Sequence, residues 1–251
     1  MDLRTSLLGR EKPEHQFHDS VSLQWIDSHR PKELLDEYEI DSQVIPFISD
    51  FKPWKQCRDS WFLDHLIRDG IHGFRHVCRV AIYSLSLAVR YYPDISDDEI
   101  NAMMFAGLLH DCRRKNDNAD SQHGMRAAMW LDENSQILPK KLHLLSPAVC
   151  FAMSVHSDSY EDISARSEYG KFGKYVDILK TADALDRYRF PRSDWWLSPE
   201  FLRLRPSIKD MSFAFDFMAI SENLFLSCKD NQESIAGAWK QLIIKGSPRR
   251  A

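Results

Sequence analysis

A histidine followed directly by an aspartate, His110-Asp111, closes an apolar run at residues 106–109, and Arg113 and Arg114 follow shortly after it. An imidazole nitrogen and a carboxylate oxygen are both suitable ligands for a divalent metal ion of intermediate hardness. The two arginines can hold a planar anion such as phosphate through forked hydrogen bonds. This stretch therefore predicts a metal site with an anion site beside it.

Other residues of metal-binding type lie on both sides of this stretch. They are His72 and His76 before it, and His123, His156 and Asp183 after it. Side chains from different helices can converge inside a helical bundle, so these residues are candidate ligands of one centre. Asp183 stands between alanines on an apolar helix face, where an aspartate is rarely buried without a partner. Asp186 is a candidate partner of a ligand, or an acid or base.

Each candidate also has a purely structural interpretation. A single histidine on an apolar helix face is more often a hydrogen-bonded core residue than a ligand. Arg113 and Arg114 are also explained by the favourable interaction of cations with a helix C-terminus. Lys180 is either a phosphate ligand or a surface lysine. Trp195 and Trp196 either stack on a base or anchor the packing of an irregular segment.

Helices are predicted to position all of these residues. Apolar residues recur at three- and four-residue steps, and alternating β-branched runs are absent from the sequence. The predicted helices cover residues 32–38, 55–68, 72–92, 96–110, 124–131, 146–156, 174–188, 213–227 and 233–244. Gly70 is expected to end the second of these, and Ser96 with Glu99 forms a capping box. Ser146-Pro147 predicts an N-cap followed by a proline in the first turn.

The fold class is therefore predicted to be all-α. We expect one helical domain over residues 51–250, preceded by an extension at 1–50 that contains a short helix. The chain has 251 residues, of which 43% are apolar and 28% are charged, as is usual for a protein with a substantial core.

Charge and cysteine content exclude several classes. The net charge of -4 argues against sequence-independent binding of nucleic acid. The five cysteines form no CxxC pair, so neither a disulfide framework nor a thiolate zinc site is predicted, and a cytoplasmic location is expected. Charged residues interrupt the N-terminal segment too early for a signal peptide, and no apolar run reaches the roughly 20 residues that cross a membrane. Oligomer formation is left open.

The order and spacing of the candidate residues resemble the HD superfamily of metal-dependent phosphohydrolases. The resemblance covers about residues 59–189 and rests on His72-x-x-x-His76-x-x-Arg79-Val80, on Leu108-Leu109-His110-Asp111 and on Asp183. The chain looks most similar to a small bacterial branch with Ile-His-Gly near the start and His-Asp-x-Arg-Arg-x-Asn-Asp, which indicates no substrate.

This resemblance implies an all-α fold and assigns metal-binding roles. One ion would be held by His76, His110, Asp111 and Asp183. In members with two ions, further histidines follow the His-Asp pair, and they correspond here to His123 and His156. The implied cofactor is one or two divalent ions of Mn, Mg, Fe, Co, Ni or Zn.

The implied activity is that of a phosphohydrolase or phosphodiesterase acting on a small phosphate ester such as a nucleotide. In related cyclic-nucleotide phosphodiesterases the first histidine donates a proton to the leaving oxygen, a role that would fall to His72. Asp186 is a further candidate acid or base. Arg113 and Arg114 could offset negative charge on the phosphoryl oxygens, with Lys180 as a further substrate ligand.

Two alternatives remain open. Some HD-fold proteins resembling myo-inositol oxygenase hold two irons with the same set of histidines and aspartates, so the chain is also a candidate oxygenase. A binding module that keeps the fold without turnover is the other alternative. The adjacent arginines favour the hydrolase.

Overall fold

In a computed structural model, which describes residues 1–10, 12–38 and 40–246 without the side chains of residues 245 and 246, the chain is helical and contains no strand. The predicted all-α class is confirmed. The α-helices are α1 (Leu3–Leu8), α2 (Ser20–Ser28), α3 (Val44–Phe51), α4 (Pro53–Gln56), α5 (His65–Asp69), α6 (Phe74–Tyr91), α7 (Asp97–Leu109), α8 (His123–Glu133), α9 (Ser146–Val155), α10 (Tyr160–Ser164), α11 (Tyr169–Leu185), α12 (Ile208–Cys228) and α13 (Asn231–Gly246). Short 3-10 helices lie at Asp59–Trp61, Ser135–Ile137, Lys140–Leu145, Asp186–Arg189, Ser193–Trp195 and Pro199–Phe201.

Helix α6 lies at the centre of the bundle. Almost every residue from Phe74 to Ala88 is buried, because α3, α7, α11, α12 and α13 all pack against this helix. A helix surrounded in this way is expected to be apolar all round. Helix α6 nevertheless has buried polar residues, and His76 is one of them. Helix α9 packs against α7, α8 and α11, so that the helices with candidate ligands are neighbours.

Two glycines allow the helices that carry candidate ligands to cross closely. A Cβ atom on Gly107 would lie 2.6 Å from Ala81 Cα, where α7 crosses α6. A Cβ atom on Gly124 would lie 2.3 Å from the Met153 carbonyl oxygen, where α8 meets α9. Both distances are far below a normal van der Waals contact, so no larger residue fits without moving a helix.

From α2 onward the N-terminal residues belong to the same hydrophobic core as the rest of the chain, whereas Leu3 and Leu7 of α1 form a small separate cluster with Ile71 and Phe190. Leu23, Ile26, Tyr38 and Ile48 are buried in it, and α2 packs against α12. None of the described helices is both long and apolar enough to cross a bilayer. The domain boundary near residue 50 stays a prediction, and residues 247–250 of the predicted domain lie outside the described part of the chain.

The predicted helix at residues 32–38 is wrong, because that segment consists of turns and bends. Its backbone forms hydrogen bonds with distant side chains instead of a helical ladder. The Leu35 amide donates to Ser212 Oγ at 2.8 Å, and the Leu35 carbonyl accepts from Arg30 at 2.8 Å. These tertiary bonds replace the local pattern that a helix would require.

The predicted helix at residues 55–68 is divided into α4, the 3-10 helix Asp59–Trp61 and α5. A new helix begins inside this range because the Asp64 carboxylate accepts from the amides of Leu66 and Ile67. Gly70 is the C-cap residue of α5, as predicted.

The predicted helices that carry candidate site residues are confirmed with shifted ends. Helix α6 begins at Phe74, so His72 precedes the helix instead of lying on its face. The capping box at Ser96 is present. Ser146 is the first residue of α9 and not its N-cap. Helix α11 begins before the predicted start and ends at Leu185, and Asp186 follows in the 3-10 helix. Helices α1, α2, α3 and α10 had not been predicted.

Buried ion pairs connect α6 to α12. Glu222 accepts from Arg75 at 2.8 Å and from Arg79 at 2.6 Å, and all three side chains are at most 2% exposed. Burial opposes ionisation of Glu222, but the neighbouring Arg75, His18 and Arg79 outweigh burial and lower the pKa of this carboxyl. Glu222 is therefore ionised throughout the neutral range and balances two buried guanidinium groups.

We expect Gly107→Ala to lower the free energy of unfolding by about 1–3 kcal/mol, the usual cost of overpacking. Gly170→Ala is the matched control, because a Cβ atom there would have no atom within 4 Å and the site also lies in a helix. Alanine should stabilise that helix by about 0.5–1 kcal/mol. Urea denaturation of both variants measures the difference. Equal effects of the same sign would contradict the close crossing of α6 and α7.

We expect Glu222→Gln to lower the free energy of unfolding by about 3–5 kcal/mol at neutral pH, because it leaves a buried positive charge uncompensated. The native pKa of Glu222 is lowered, so its contribution is present above the unfolded-state pKa of about 4.3 and is lost as pH falls. The gap between wild type and variant should thus narrow in acid. Denaturation across pH measures it, with the exposed Glu233→Gln as control. A gap that does not depend on pH would contradict the ion pairing.

Candidate metal centre

Four imidazoles and two carboxylates meet at the centre of the bundle. Five helices carry these side chains or directly precede them. His76 lies in α6, Asp183 lies in α11, and His123 is the first residue of α8. His110 and Asp111 directly follow α7, and His156 directly follows α9. Among the described residues, two overlapping groups have donor atoms within 4.8 Å of one another, His76 with His110 and Asp183, and His110 with Asp111 and His156. These groups contain five of the six predicted metal ligands, and the sixth, His123, has its Nε2 2.9 Å from Asp111 Oδ1.

The donor atoms form two groups, which we call lobes, each of a size that could hold one ion. The first lobe is formed around His76 Nε2. This atom lies 3.2 Å from His110 Nε2, 3.4 Å from Asp183 Oδ1 and 3.5 Å from Asp111 Oδ2. Ligands bound at roughly 2.1 Å to one ion are separated by about 3.0–3.5 Å in octahedral or tetrahedral geometry. The distances from His76 Nε2 fit four ligands of a single ion, whereas His110 Nε2 lies farther, at 3.9 Å, from both Asp183 Oδ1 and Asp111 Oδ1.

The second lobe shares Asp111 with the first. Asp111 Oδ1 lies 2.9 Å from His123 Nε2 and 3.6 Å from His156 Nε2, and these two nitrogens are 2.9 Å apart. One oxygen of the carboxylate thus faces the first lobe and the other faces the second. Asp111 is placed to bridge two ions.

Hydrogen bonds behind the rings point all four Nε2 atoms into the cluster. Nδ1 of His76 donates to Asp186 Oδ2 at 2.8 Å, Nδ1 of His110 to the Gly107 carbonyl at 2.8 Å, Nδ1 of His156 to the Met153 carbonyl at 2.7 Å, and Nδ1 of His123 to the Asp120 carbonyl. With Nδ1 protonated, a neutral imidazole presents the Nε2 lone pair, as metal-binding histidines do.

The electrostatics of the cluster favour ionised carboxylates. Burial opposes ionisation of Asp111, but Arg114, His123 and His110 outweigh it and hold the pKa of this carboxyl well below its ordinary value. The pKa of Asp183 is likewise lowered against the effect of burial, by Arg189 and the nearby histidines.

The histidines respond differently to the same surroundings. Burial lowers the pKa of His110 to about 3, so this ring is neutral. Burial also acts on His123, but Asp111 outweighs it and raises the pKa of that ring. The Nε2 atoms of His123 and His156 face each other at 2.9 Å. Either a proton shared by the two nitrogens or a cation bound to both allows this short distance, and the negative charge of Asp111 stabilises either one.

His72 lies beside the cluster and not in it. Its ring centroid is 5.9 Å from that of His76, and its Nδ1 is 3.0 Å from Asp117 Oδ1. Burial, with Arg114 and Arg189 nearby, lowers the pKa of His72 well below its ordinary value. Burial also raises the pKa of Asp117 to about 6. His72 is therefore a neutral ring held by Asp117.

Two cavities adjoin the cluster. The Trp195 cavity has a volume of about 400 Å³ and is lined by His72, Arg114, Asp117, Arg187, Phe190 and Trp195, among others. The Trp196 cavity has a volume of about 660 Å³ and is lined by His156, Tyr160, Lys180, Asp183, Arg187 and Trp196, among others. Their volumes are typical of small-molecule sites. The candidate ligand His156 and the partly exposed Asp183 thus face the Trp196 cavity.

Of the two adjacent arginines, only Arg114 reaches a cavity. Arg113 turns away, donating to the Trp61 carbonyl at 3.1 Å and lying over the Trp130 ring, so its position does not support the predicted role in substrate binding. Arg114 Nη1 lies 3.6 Å from Asp111 Oδ2, and the other guanidinium nitrogens bind loop carbonyls. The opposite directions follow from the backbone turn at residues 111–114, which separates neighbouring side chains.

Asp186 acts behind the cluster. The Asp186 carboxylate is fully buried. It accepts a hydrogen bond from His76 Nδ1 and a bidentate pair of hydrogen bonds from Arg79, at 2.6 and 2.9 Å. A carboxylate enclosed in this way cannot reach a substrate, so the predicted role of Asp186 as acid or base is wrong, whereas its role as a partner of a ligand fits the structure.

Lys180 matches neither of its two predicted interpretations, a phosphate ligand or a surface lysine, completely. Its Nζ donates to the carbonyls of His156 and Asp158, both at 2.7 Å, and burial lowers its pKa. The side chain thus holds the chain end that carries His156, and it also lines the Trp196 cavity.

Sequence reasoning missed three residues at the site. Asp117 was present in the quoted His-Asp-x-Arg-Arg-x-Asn-Asp pattern but was given no role. Arg187 and Arg189 follow Asp186, and Arg189 Nη2 lies 4.0 Å from Asp183 Oδ1. The run of charges directly after an apolar helix was the available signal.

The tryptophans serve mainly as packing residues, as the structural interpretation proposed. Trp196 packs against Trp25, Tyr188 and Phe215 and donates to the Phe190 carbonyl. Trp195 packs edge-on against Phe190. Each also lines one of the two cavities.

Comparison with known proteins gives no match. No family model, no curated protein and no solved structure is significantly similar to this chain.

We expect the protein purified without chelator to bind two divalent ions, because Asp111 presents one oxygen to each lobe. The double variant His123→Ala/His156→Ala should bind one ion. Asp111→Asn should weaken the binding of both ions. Elemental analysis of dialysed protein measures the ratio, with His65→Ala, an exposed histidine, as control. A ratio of one that the double variant leaves unchanged would contradict the second lobe.

Proposed function

We propose that this protein is a metal-dependent hydrolase of small phosphate esters such as nucleotides. The observation that carries the proposal is the set of six buried or partly buried donors, four imidazole Nε2 atoms and two ionised carboxylates, aimed at common points. Oxygen and nitrogen donors without thiolates suit Mn, Mg, Fe, Co, Ni or Zn. Such an ion, when bound, supplies an activated water and polarises a phosphoryl oxygen.

Cations around the cavities support an anionic substrate. Arg114 and Arg187 line the Trp195 cavity, and Lys180 and Arg187 line the Trp196 cavity. Guanidinium groups match phosphoryl oxygens in charge and geometry. They would bind and orient the ester and offset charge that develops on its oxygens.

His72 is the candidate proton-transfer residue. It lines the Trp195 cavity, and its ring centroid is 5.9 Å from that of His76. Its Nδ1–H donates to Asp117. This leaves Nε2 free to accept a proton, and the Asp117 carboxylate would stabilise the resulting imidazolium, which can then return the proton to the leaving oxygen. In the balanced reaction, one water adds to phosphorus, one P–O bond breaks, and the alcohol leaves with the transferred proton.

The oxygenase alternative has one observation in its favour, since four histidines and a bridging aspartate also suit two irons. Redox chemistry does not need the cations that line both cavities, and for that reason we prefer the hydrolase. A module that only binds its ligand would not need a neutral histidine held by a carboxylate. Iron content with O₂ uptake, against ester hydrolysis with Mn²⁺, Mg²⁺ or Co²⁺, separates these functions.

We expect the metal-loaded wild type to release phosphate or alcohol from members of a phosphate-ester panel, and His72→Asn to lower kcat by about 10²–10⁴-fold. Metal content should not change, because His72 contributes no ligand to either lobe. Steady-state kinetics on the best ester, with elemental analysis, measures both quantities.

His65→Asn, at an exposed histidine of α5, is the matched control and should behave as wild type. If His72→Asn keeps wild-type kcat, His72 is structural. If no ester is hydrolysed with any of the six metals, the proposed activity is wrong.

A further inference from the structure

Arg187 lies at the border of the two cavities, and it lines both of them. The candidate metal ligands His156 and Asp183 belong to the wall of the Trp196 cavity, whereas His72 and its partner belong to the wall of the Trp195 cavity. A molecule that is processed by both parts of the site must therefore extend past Arg187. Neither cavity alone contains both the metal ligands and the proton-transfer residue.

The Arg187 guanidinium is anchored and still has free donors. Its Nε donates to the Trp195 carbonyl at 2.5 Å, which fixes the group between the cavities. Its two terminal amino groups have no hydrogen-bond partner among the described residues. Terminal amino groups that are fixed in this way form a fork for two oxygens of one phosphoryl group.

Both cavities that Arg187 lines also have aromatic residues in their walls. Phe190 and Trp195 line one, and Tyr160 and Trp196 line the other. Aromatic walls favour flat or apolar groups. Two such walls, one on each side of a single anion ligand, match a substrate with a central anion and two substituents.

Charge favours the same substrate class. A phosphodiester carries one negative charge, whereas a phosphomonoester carries about -1.5 to -2 near neutral pH. The cations at the border are partly balanced by acidic groups outside the metal cluster, because Asp117 lines one cavity and Asp158 with Asp194 lines the other. A singly charged ester is thus the better electrostatic match.

We infer that the substrate is a phosphodiester, with its phosphoryl group bound by Arg187 and one substituent in each cavity. The inference rests on the proposed hydrolase function and narrows it to two-armed esters. One water adds to phosphorus and gives a proton to His72 Nε2, the P–O bond to the substituent in the Trp195 cavity breaks, and that alcohol leaves with the proton from His72. The product is a phosphomonoester whose remaining substituent occupies the Trp196 cavity.

Each cavity has one alanine whose enlargement would fill it. Ala119 lines the Trp195 cavity and is exposed, and Ala184 lines the Trp196 cavity and is partly exposed. Leucine at either site should remove space for one substituent. Ala165→Leu, at an exposed alanine that lines neither cavity, is the matched control.

Binding is tested with diphenyl phosphate and phenyl phosphate on the Mn²⁺-loaded protein by calorimetry. We expect diphenyl phosphate to bind about tenfold more tightly than phenyl phosphate, because a second ring is buried. Ala119→Leu and Ala184→Leu should each weaken the diester by about fivefold, whereas only one of them should weaken the monoester. Arg187→Gln should weaken both ligands, with Arg187→Lys restoring part of the loss and the exposed Arg205→Gln leaving both unchanged.

The outcomes separate the inference from the proposed function. Tighter binding of phenyl phosphate, or diester binding that one of the leucine variants leaves unchanged, overturns the two-armed substrate. If Ala184→Leu does not fold, Ser157→Leu blocks the same cavity from an exposed position. Hydrolysis is followed in parallel with bis(p-nitrophenyl) phosphate and p-nitrophenyl phosphate. Turnover of the monoester alone overturns the inference and leaves the hydrolase, whereas two-armed binding without any turnover supports the inference and overturns the hydrolase.

Discussion

The bidentate ion pair between Arg79 and Asp186 is the interaction on which the candidate site depends. Both side chains are fully buried, and the bonds measure 2.6 and 2.9 Å. The same carboxylate accepts from His76 Nδ1, so the pair fixes which ring nitrogen of His76 points into the cluster. A carboxylate behind a histidine ligand generally sets the tautomer and the orientation of the ring. Because Arg79 also bonds to Glu222, α12 supports a ligand that lies on α6.

Close helix crossings bring the remaining ligands together. The absence of a side chain at Gly107 and at Gly124 lets α7 approach α6 and α8 approach α9. At the centre, Asp111 has its two oxygens directed to different groups of histidines. The candidate site is thus a consequence of backbone packing as much as of ligand identity, since a shift of α7 against α6 would move His110 relative to His76, and a shift of α8 against α9 would move His123 relative to His156.

The charges around the cluster are arranged before any ligand binds. Arg114 and the histidines keep Asp111 ionised in spite of burial, and burial keeps His110 neutral. An ionised Asp111 beside a neutral His110 is a preorganised pair of donors, because no proton must leave either group before a cation binds. Farther out, Arg187 faces both cavities and gives the neighbouring space a preference for anions.

The sequence by itself determined the all-α class, the central helices and the set of residues that meet in the cluster. These depend on local signals, namely apolar periodicity, the capping box at Ser96 and residue types with ligand chemistry. The tight spacing of the donors is consistent with the ligand set that the sequence suggested, although the bound metal and the reaction stay predictions. The predicted helix at 32–38 is wrong because the Leu35 amide bonds with Ser212, which lies far along the chain and which no local pattern encodes.

Only the tertiary structure decided what neighbouring residues of the same type do. Arg113 contacts Trp61 and Trp130 while Arg114 faces a cavity, although the two are adjacent in sequence. Asp183 faces the cluster, and Asp186 lies behind His76, because α11 ends at Leu185 and the chain turns there. The direction of a side chain depends on where the backbone turns and on partners from other helices, and both are settled only when the helices pack.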